Sequence, residues 1–228
     1  MKDNNNNLLG ERLLAVSEYI RDGAVLCDVG TDHAKLPIHL ALTGKIKKAY
    51  ATDINEGPIK SARANVAELD LGNIIECIRT DGLYNTDSLG ITDISICGMG
   101  GELIARILSD CSYIKDSNVN LVLQPMSHIE DIRRYLYDNG FDIKDECLVR
   151  ETGKLYLIIN AVYTGEKYEY DETDIILGKI LKSKKRDDLF AEMADRALYH
   201  LENKMKSTDA CTVGIARELY NKVKRELS

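Results

Sequence analysis

At 228 residues, 44% hydrophobic and 29% charged, the chain is long enough for one well-packed domain plus an appendage, with the make-up of an ordinary soluble globular protein. It shows neither a signal-peptide pattern nor an apolar run long enough to cross a bilayer, which points to an intracellular, cytoplasmic protein with no membrane partner. The net charge of −7 argues against a nucleic-acid partner. That charge is uneven, however: residues 175–228 carry +4 and the preceding 174 carry −11. Such asymmetry fits either an interacting segment or the solvated face of a charged helix.

In chain order, the polar start "MKDNNNN" (residues 1–7) reads as a disordered tail. From residue 24 to 163, short apolar runs alternate with helical patterns. "AVLCDV" (24–29) is a strand, followed by an apolar-periodic helix over 34–42. "AYATDI" (49–54) precedes a helix opened by Glu56 and Pro58, with Ile59, Ala62 and Val66 on one face. "NIIECI" (73–78) and "DISIC" (93–97) are further strands, and "GELIARIL" (101–108) is a helix. "NLVLQP" (120–125) is a fifth strand before the helix "HIEDIRRYLYDNG" (128–140). Two runs near 141–150 and 154–163, with "ETGK" between them, predict a closing hairpin. This alternation implies a parallel sheet covered on both faces, an α/β fold with the strand pattern of the class I methyltransferase sheet. Beyond it, Phe190, Met193, Ala194, Ala197, Leu198, Leu201 and Met205 recur at spacings of three and four. After "STD" (207–209), Ala216, Leu219, Val223 and Leu227 form a second stripe. An antiparallel pair of amphipathic helices is the reading.

The six cysteines are scattered, with no CxxC pair and no histidine at zinc spacing, so they read as buried reduced thiols and no metal site is expected. In an open parallel sheet, ligands bind beyond the carboxyl ends of the strands. Here those ends carry "DVGTDH", "ATDINEG", "RTDG", "CGMGG" and "QPMSH". Gly30 lets the backbone approach a cofactor. Asp53, 23 residues beyond Gly30, suits ribose hydroxyls, although the same residue suits a helix N-cap. Asp81-Gly82 can hold an adenine or form a plain turn. Instead of the glycine pattern that cradles pyrophosphate, the first loop reads D-x-G-x-D-x-A, with a carboxylate where phosphate oxygens would sit. A cationic sulfonium is the better guest, which favours methyl transfer over an NAD-dependent oxidoreductase.

Asp32 can accept a proton during methylation of a nitrogen, or Thr31 and Asp32 can cap the helix that follows. His33 can orient cofactor or substrate, or close a helix terminus. Gly98, Met99 and Gly100 leave a gap into which a flat base fits, and the amide of Gln124, followed by Pro125, can read a base edge.

"DVGTDHAKLP", "GMGGELIARIL", "LVLQP" and "IRRYLYDNGFDI", in this order, resemble the bacterial tRNA (adenine-N1)-methyltransferases that modify adenosine 22. The likeness runs from about Glu11 to Val162. It implies a Rossmann-like catalytic domain over residues 8–165 and a helical, coiled-coil, tRNA-binding extension over 172–228, with S-adenosyl-L-methionine as donor and tRNA as partner of a monomer. It implies Asp32 as the base, and Asp28, Gly30, His33, Asp53, Ile54, Asp81, Gly82, Gly98 and Met99 around the cofactor. Arg12 resembles a family basic residue that contacts either the cofactor carboxylate or the RNA substrate, and Gly100, Gln124 and Pro125 fall to the substrate. Phosphate contacts are expected from Lys179, Lys182, Lys184, Lys185 and Arg186, with Lys204 and Lys206 further along. A methyltransferase acting on a small molecule or a protein would keep the cofactor residues without needing the basic helices.

Overall fold

A computed structural model describes residues 9–183 and 188–228. The expected tail over 1–7 and the basic cluster Lys184, Lys185 and Arg186 lie outside the described residues. Seven strands, β1 (Ala24–Val29), β2 (Ile46–Asp53), β3 (Ile75–Arg79), β4 (Asp93–Gly100), β5 (Asn120–Ser127), β6 (Phe141–Glu151) and β7 (Lys154–Tyr163), form one sheet of order β3-β2-β1-β4-β5-β7-β6. β1 to β5 run parallel, and β7 inserts antiparallel between β5 and β6. The order reverses between β1 and β4, where such sheets place a ligand. Glu151 pairs with Lys154 across a two-residue turn in which Thr152 and Gly153 are both left-handed (φ 47° and 77°). That turn fits the twist of the hairpin.

Helices cover both faces because the central strands are apolar on both. Val16 and Ile20 beside α1 (Glu11–Tyr19), Leu36 to Leu40 of α2 (Lys35–Leu42), and Ala62 and Val66 of α3 (Glu56–Glu68) pack with Leu26, Ala49 and Ala51. On the other face, Ile104 and Leu108 of α4 (Gly101–Ser109) and Ile132 and Leu136 of α5 (Ile129–Asp138) pack with Cys27, Ile94 and Ile96.

Among the described residues, the C-terminal segment has four helices where two were expected: α6 (Glu172–Leu177), α7 (Lys179–Ser183), α8 (Asp188–Lys204) and α9 (Ala210–Leu227). Asp209 caps α9 by accepting the Thr212 N–H at 2.8 Å, at the break that "STD" marked. Leu177, Phe190, Leu201 and Val223 are buried in the same apolar cluster as the α4/α5 face, so the extension packs as a continuation of that core. Lys182 is not free for phosphate, since its ammonium lies 2.8 Å from Asp174 and donates to Thr173 Oγ1 at 2.8 Å. No described helix is long and apolar enough to cross a membrane.

Candidate active site

The first loop is held from below by Asp28. Its Oδ1 accepts the Ser95 hydroxyl and its Oδ2 the Thr31 hydroxyl, each at 2.6 Å. Burial raises the pKa of this carboxyl above the usual range, against the pull of the two hydroxyl donors. With both oxygens engaged, the buried Asp28 side chain braces the loop from below. The N–H groups of Gly30 and Thr31 donate to the Thr52 carbonyl at 2.8 and 2.9 Å, strapping the loop to β2.

Asp32, His33 and Ala34 are all left-handed (φ 23°, 59° and 55°). That region costs a non-glycine residue about 1–2 kcal/mol, so the surroundings must over-determine the turn. Part of that hold is Asn65 of α3, whose Nδ2 donates to the His33 carbonyl at 3.0 Å. The turn settles the capping question. α2 begins at Lys35 with no side-chain cap, and the Thr31 hydroxyl is spent on Asp28. The Asp32 carboxylate is 71% exposed, with Oδ1 3.3 Å from His33 Nε2.

At the end of β2, Asp53 Oδ1 accepts the Asn55 N–H at 2.7 Å. Its Oδ2 has no partner among the described residues. Ile54, next to it, is 53% exposed, an apolar side chain left open at the sheet edge. Asp81 is exposed, and Gly82 is left-handed (φ 55°) with Ile107 of α4 packed against its Cα. Asp81 and Gly82 border a cavity of about 430 Å³ that Arg106 and Ile107 close from α4.

Gly98 (φ 78°) has open space where a side chain would stand, and its N–H donates to Gln124 Oε1 at 3.1 Å. Met99 crosses to the first loop, where a Cβ on Gly30 would overlap its methyl group. Gly100 lies against Ser127, and a side chain at Gly101 would collide with the His128 carbonyl.

Gln124, expected from the sequence at the substrate, is fully buried at the end of the apolar run of β5. Its Oε1 accepts from Gly98 and from Arg12 Nη1 (2.6 Å), and its Nε2 donates to the Pro125 carbonyl at 2.9 Å. The amide thus holds the β4 loop in place. Pro125 is buried too, whereas the next residue, Met126, is 50% exposed, a surface position not anticipated from the sequence. The signal available was its place directly beyond the apolar run of β5. Arg12, on α1, also lies 3.7 Å from Glu151 and over the Tyr156 ring, tying α1 to the hairpin. Glu102, His128 and Asp131 cluster on the exposed surface with ligand-type atoms within 4.8 Å of one another, and His128 Nδ1 lies 3.5 Å from Glu102 and 3.2 Å from Asp131.

These groups suit S-adenosyl-L-methionine. Asp53 Oδ2 is available to ribose hydroxyls, Ile54 to an adenine face, the bare Gly98 backbone to close approach, and the Asp32 carboxylate to a cation rather than a pyrophosphate. Strand order and glycine-lined crevice together define a Rossmann-like methyltransferase. Residues 9–159 match the family model described as a methyltransferase domain. The chain belongs to the tRNA (adenine(22)-N1)-methyltransferase family. It is 33% identical to the Bacillus subtilis tRNA (adenine(22)-N(1))-methyltransferase over 86% of this chain and 83% of that protein. A Streptococcus pneumoniae relative, crystallised with S-adenosyl-L-methionine, superposes with a TM-score of 0.84 at 33% identity, covering 95% of this chain and 98% of the other. M. capricolum TrmK with S-adenosyl-homocysteine gives 0.84 at 25% identity, covering 96% and 97%.

Proposed function

We infer that the protein transfers a methyl group from S-adenosyl-L-methionine to N1 of adenosine 22 in tRNA, with Asp32 handling the proton. The observation that carries the role of Asp32 is its exposed, uncapped carboxylate, displayed at the crevice by a strained turn. When bound, the cofactor supplies an electrophilic methyl group. Adenine N1 lies on the Watson–Crick edge, so the base must be unpaired to enter the crevice. Methylation there makes the purine cationic and its 6-amino group acidic. Asp32 takes that proton or balances the charge, and His33 Nε2 at 3.3 Å keeps the carboxylate oriented. Asp53, Ile54, Asp81 and Gly98 hold the adenosine half of the donor.

The extension over residues 172–228 is the tRNA-binding part of a cytoplasmic monomer, with Lys184, Lys185 and Arg186 reaching phosphates. Unmodified tRNA transcript, methylated in vitro and digested to nucleosides, should yield 1-methyladenosine. Asp32→Ala should lower the rate by about 10²–10⁴-fold while S-adenosyl-homocysteine still raises the melting temperature. Wild-type turnover by that variant would remove Asp32 from the chemistry, and loss of the thermal response would make it part of the scaffold.

A further inference from the structure

Arg133, on α5, is among the largest fully buried side chains of the described residues. A cation this deep is tolerated only when it is paired and hydrogen-bonded, and its partners come from two other elements. Nε donates to Glu146 of β6 at 2.7 Å, itself fully buried. Nη1 donates to the carbonyls of Ile175 and Ile176, at 2.8 and 3.1 Å, near the end of α6. Those carbonyls belong to a helix terminus that has no internal partners for them, so the guanidinium caps α6 from outside. Gly178, directly after α6, completes the contact. It is left-handed (φ 85°), and a Cβ there would stand 2.5 Å from Glu146 Oε2 and 2.7 Å from Arg133 Nη2. The next residue of α5, Arg134, grips α6 a second time with two 3.0 Å bonds to Glu172.

α5 leads directly out of the β5 loop at the site, and α6 is the first helix of the extension. A cleft of about 720 Å³ lies between them, with Ser127 and His128 of the β5 loop on one wall and Leu201 and Lys204 of α8 on the other. We propose that Arg133, through Glu146 and the bare backbone of Gly178, is a positioning residue that sets the placement of the extension relative to the active-site loops and so governs productive tRNA binding. The proposal rests on the extension being the tRNA-binding part. It assigns Arg133 no contact with cofactor or reacting atoms.

The test uses the full chain and three variants. Arg133→Met/Glu146→Gln removes both charges together, which avoids leaving one buried alone. Gly178→Ala strains the latch from the other side, and Arg133→Lys keeps the charge. For the first two we expect an unchanged S-adenosyl-homocysteine thermal shift, kcat within about twofold of wild type, and KM for tRNA raised roughly tenfold by misplacement of remote contacts. Arg133→Lys should recover most of that KM. An unchanged KM in a folded double variant overturns the proposal, as does a parallel loss of kcat and of cofactor response, which would mark a merely structural pair. If Gly178→Ala does not fold, the double variant decides. Wild-type protein that neither binds nor methylates tRNA would overturn the underlying reading and the latch with it, a result separable because it needs no variant.

Discussion

Asp28 and Gly30 stand two residues apart and do different work. Because burial raises the Asp28 pKa, the native state holds this proton more tightly than the unfolded chain does. Stability from this group is present below the unfolded carboxyl pKa of about 4 and is lost as pH rises through the folded value. Asp28→Asn removes that dependence. The difference in melting temperature between variant and wild type should therefore shift in favour of the variant as pH climbs from about 4. A pH-independent difference would mean that the carboxyl titrates as in the unfolded chain. Gly30→Ala should weaken S-adenosyl-homocysteine binding roughly tenfold or more, since the left-handed backbone costs about 1 kcal/mol or more and the new methyl group meets Met99. Calorimetric titration checks it, and wild-type affinity would show that the loop has room to give. At this scale the sequence displayed the candidates Asp32, Asp53 and Gly98 openly, because loop residues at strand ends stand out locally. It concealed how Asp28 and Gln124 are used. Their partners, Ser95 and Arg12, lie 67 and 112 residues away, and no local pattern reveals that a polar group is already satisfied.

Elements were legible in proportion to their length and periodicity. β1 and β7 begin and end where their apolar runs do, and α4 differs from its pattern by one residue. β2 starts three residues earlier than read, at Ile46, because pairing with β1 recruits the charged Lys47 and Lys48 that an apolar criterion skips. α6 and α7 escaped notice because they are six and five residues long, too short for a helical stripe. One signal was nonetheless present. In "DETD", Asp171 accepts from the Asp174 N–H at 2.8 Å and Asp174 returns the bond at 3.1 Å, a reciprocal cap with Asp in both places. The junction of α4 and α5 carries the prediction proper to this scale. Gly101 admits the His128 carbonyl where any side chain would collide. Gly101→Ala should cost about 1–3 kcal/mol, as overpacking does. A melting temperature within a degree of wild type would show that α5 can retreat without loss.

Across the whole molecule, the electrostatic problem is that a body of charge −11 must receive a polyanion. Among the described residues, several cations of the extension are already paired: Lys182 with Asp174, Arg196 with Glu192 and Lys222 with Glu218. Lys204 and Lys206 are exposed, and Lys204 lines the cleft beside the site. Each phosphate neutralised by such a side chain releases counterions, so binding weakens with salt by about 0.7–0.9 logarithmic units per contact. Lys204→Ala/Lys206→Ala should therefore weaken tRNA binding at low salt and flatten the plot of log Kd against log salt by about one to two units. Binding of S-adenosyl-homocysteine, distant from these residues in charge and chemistry, should keep its wild-type salt response. A plot as steep as that of wild type would shift the phosphate contacts from α8 to the segment around Lys184, Lys185 and Arg186, where triple replacement by alanine gives the corresponding slope.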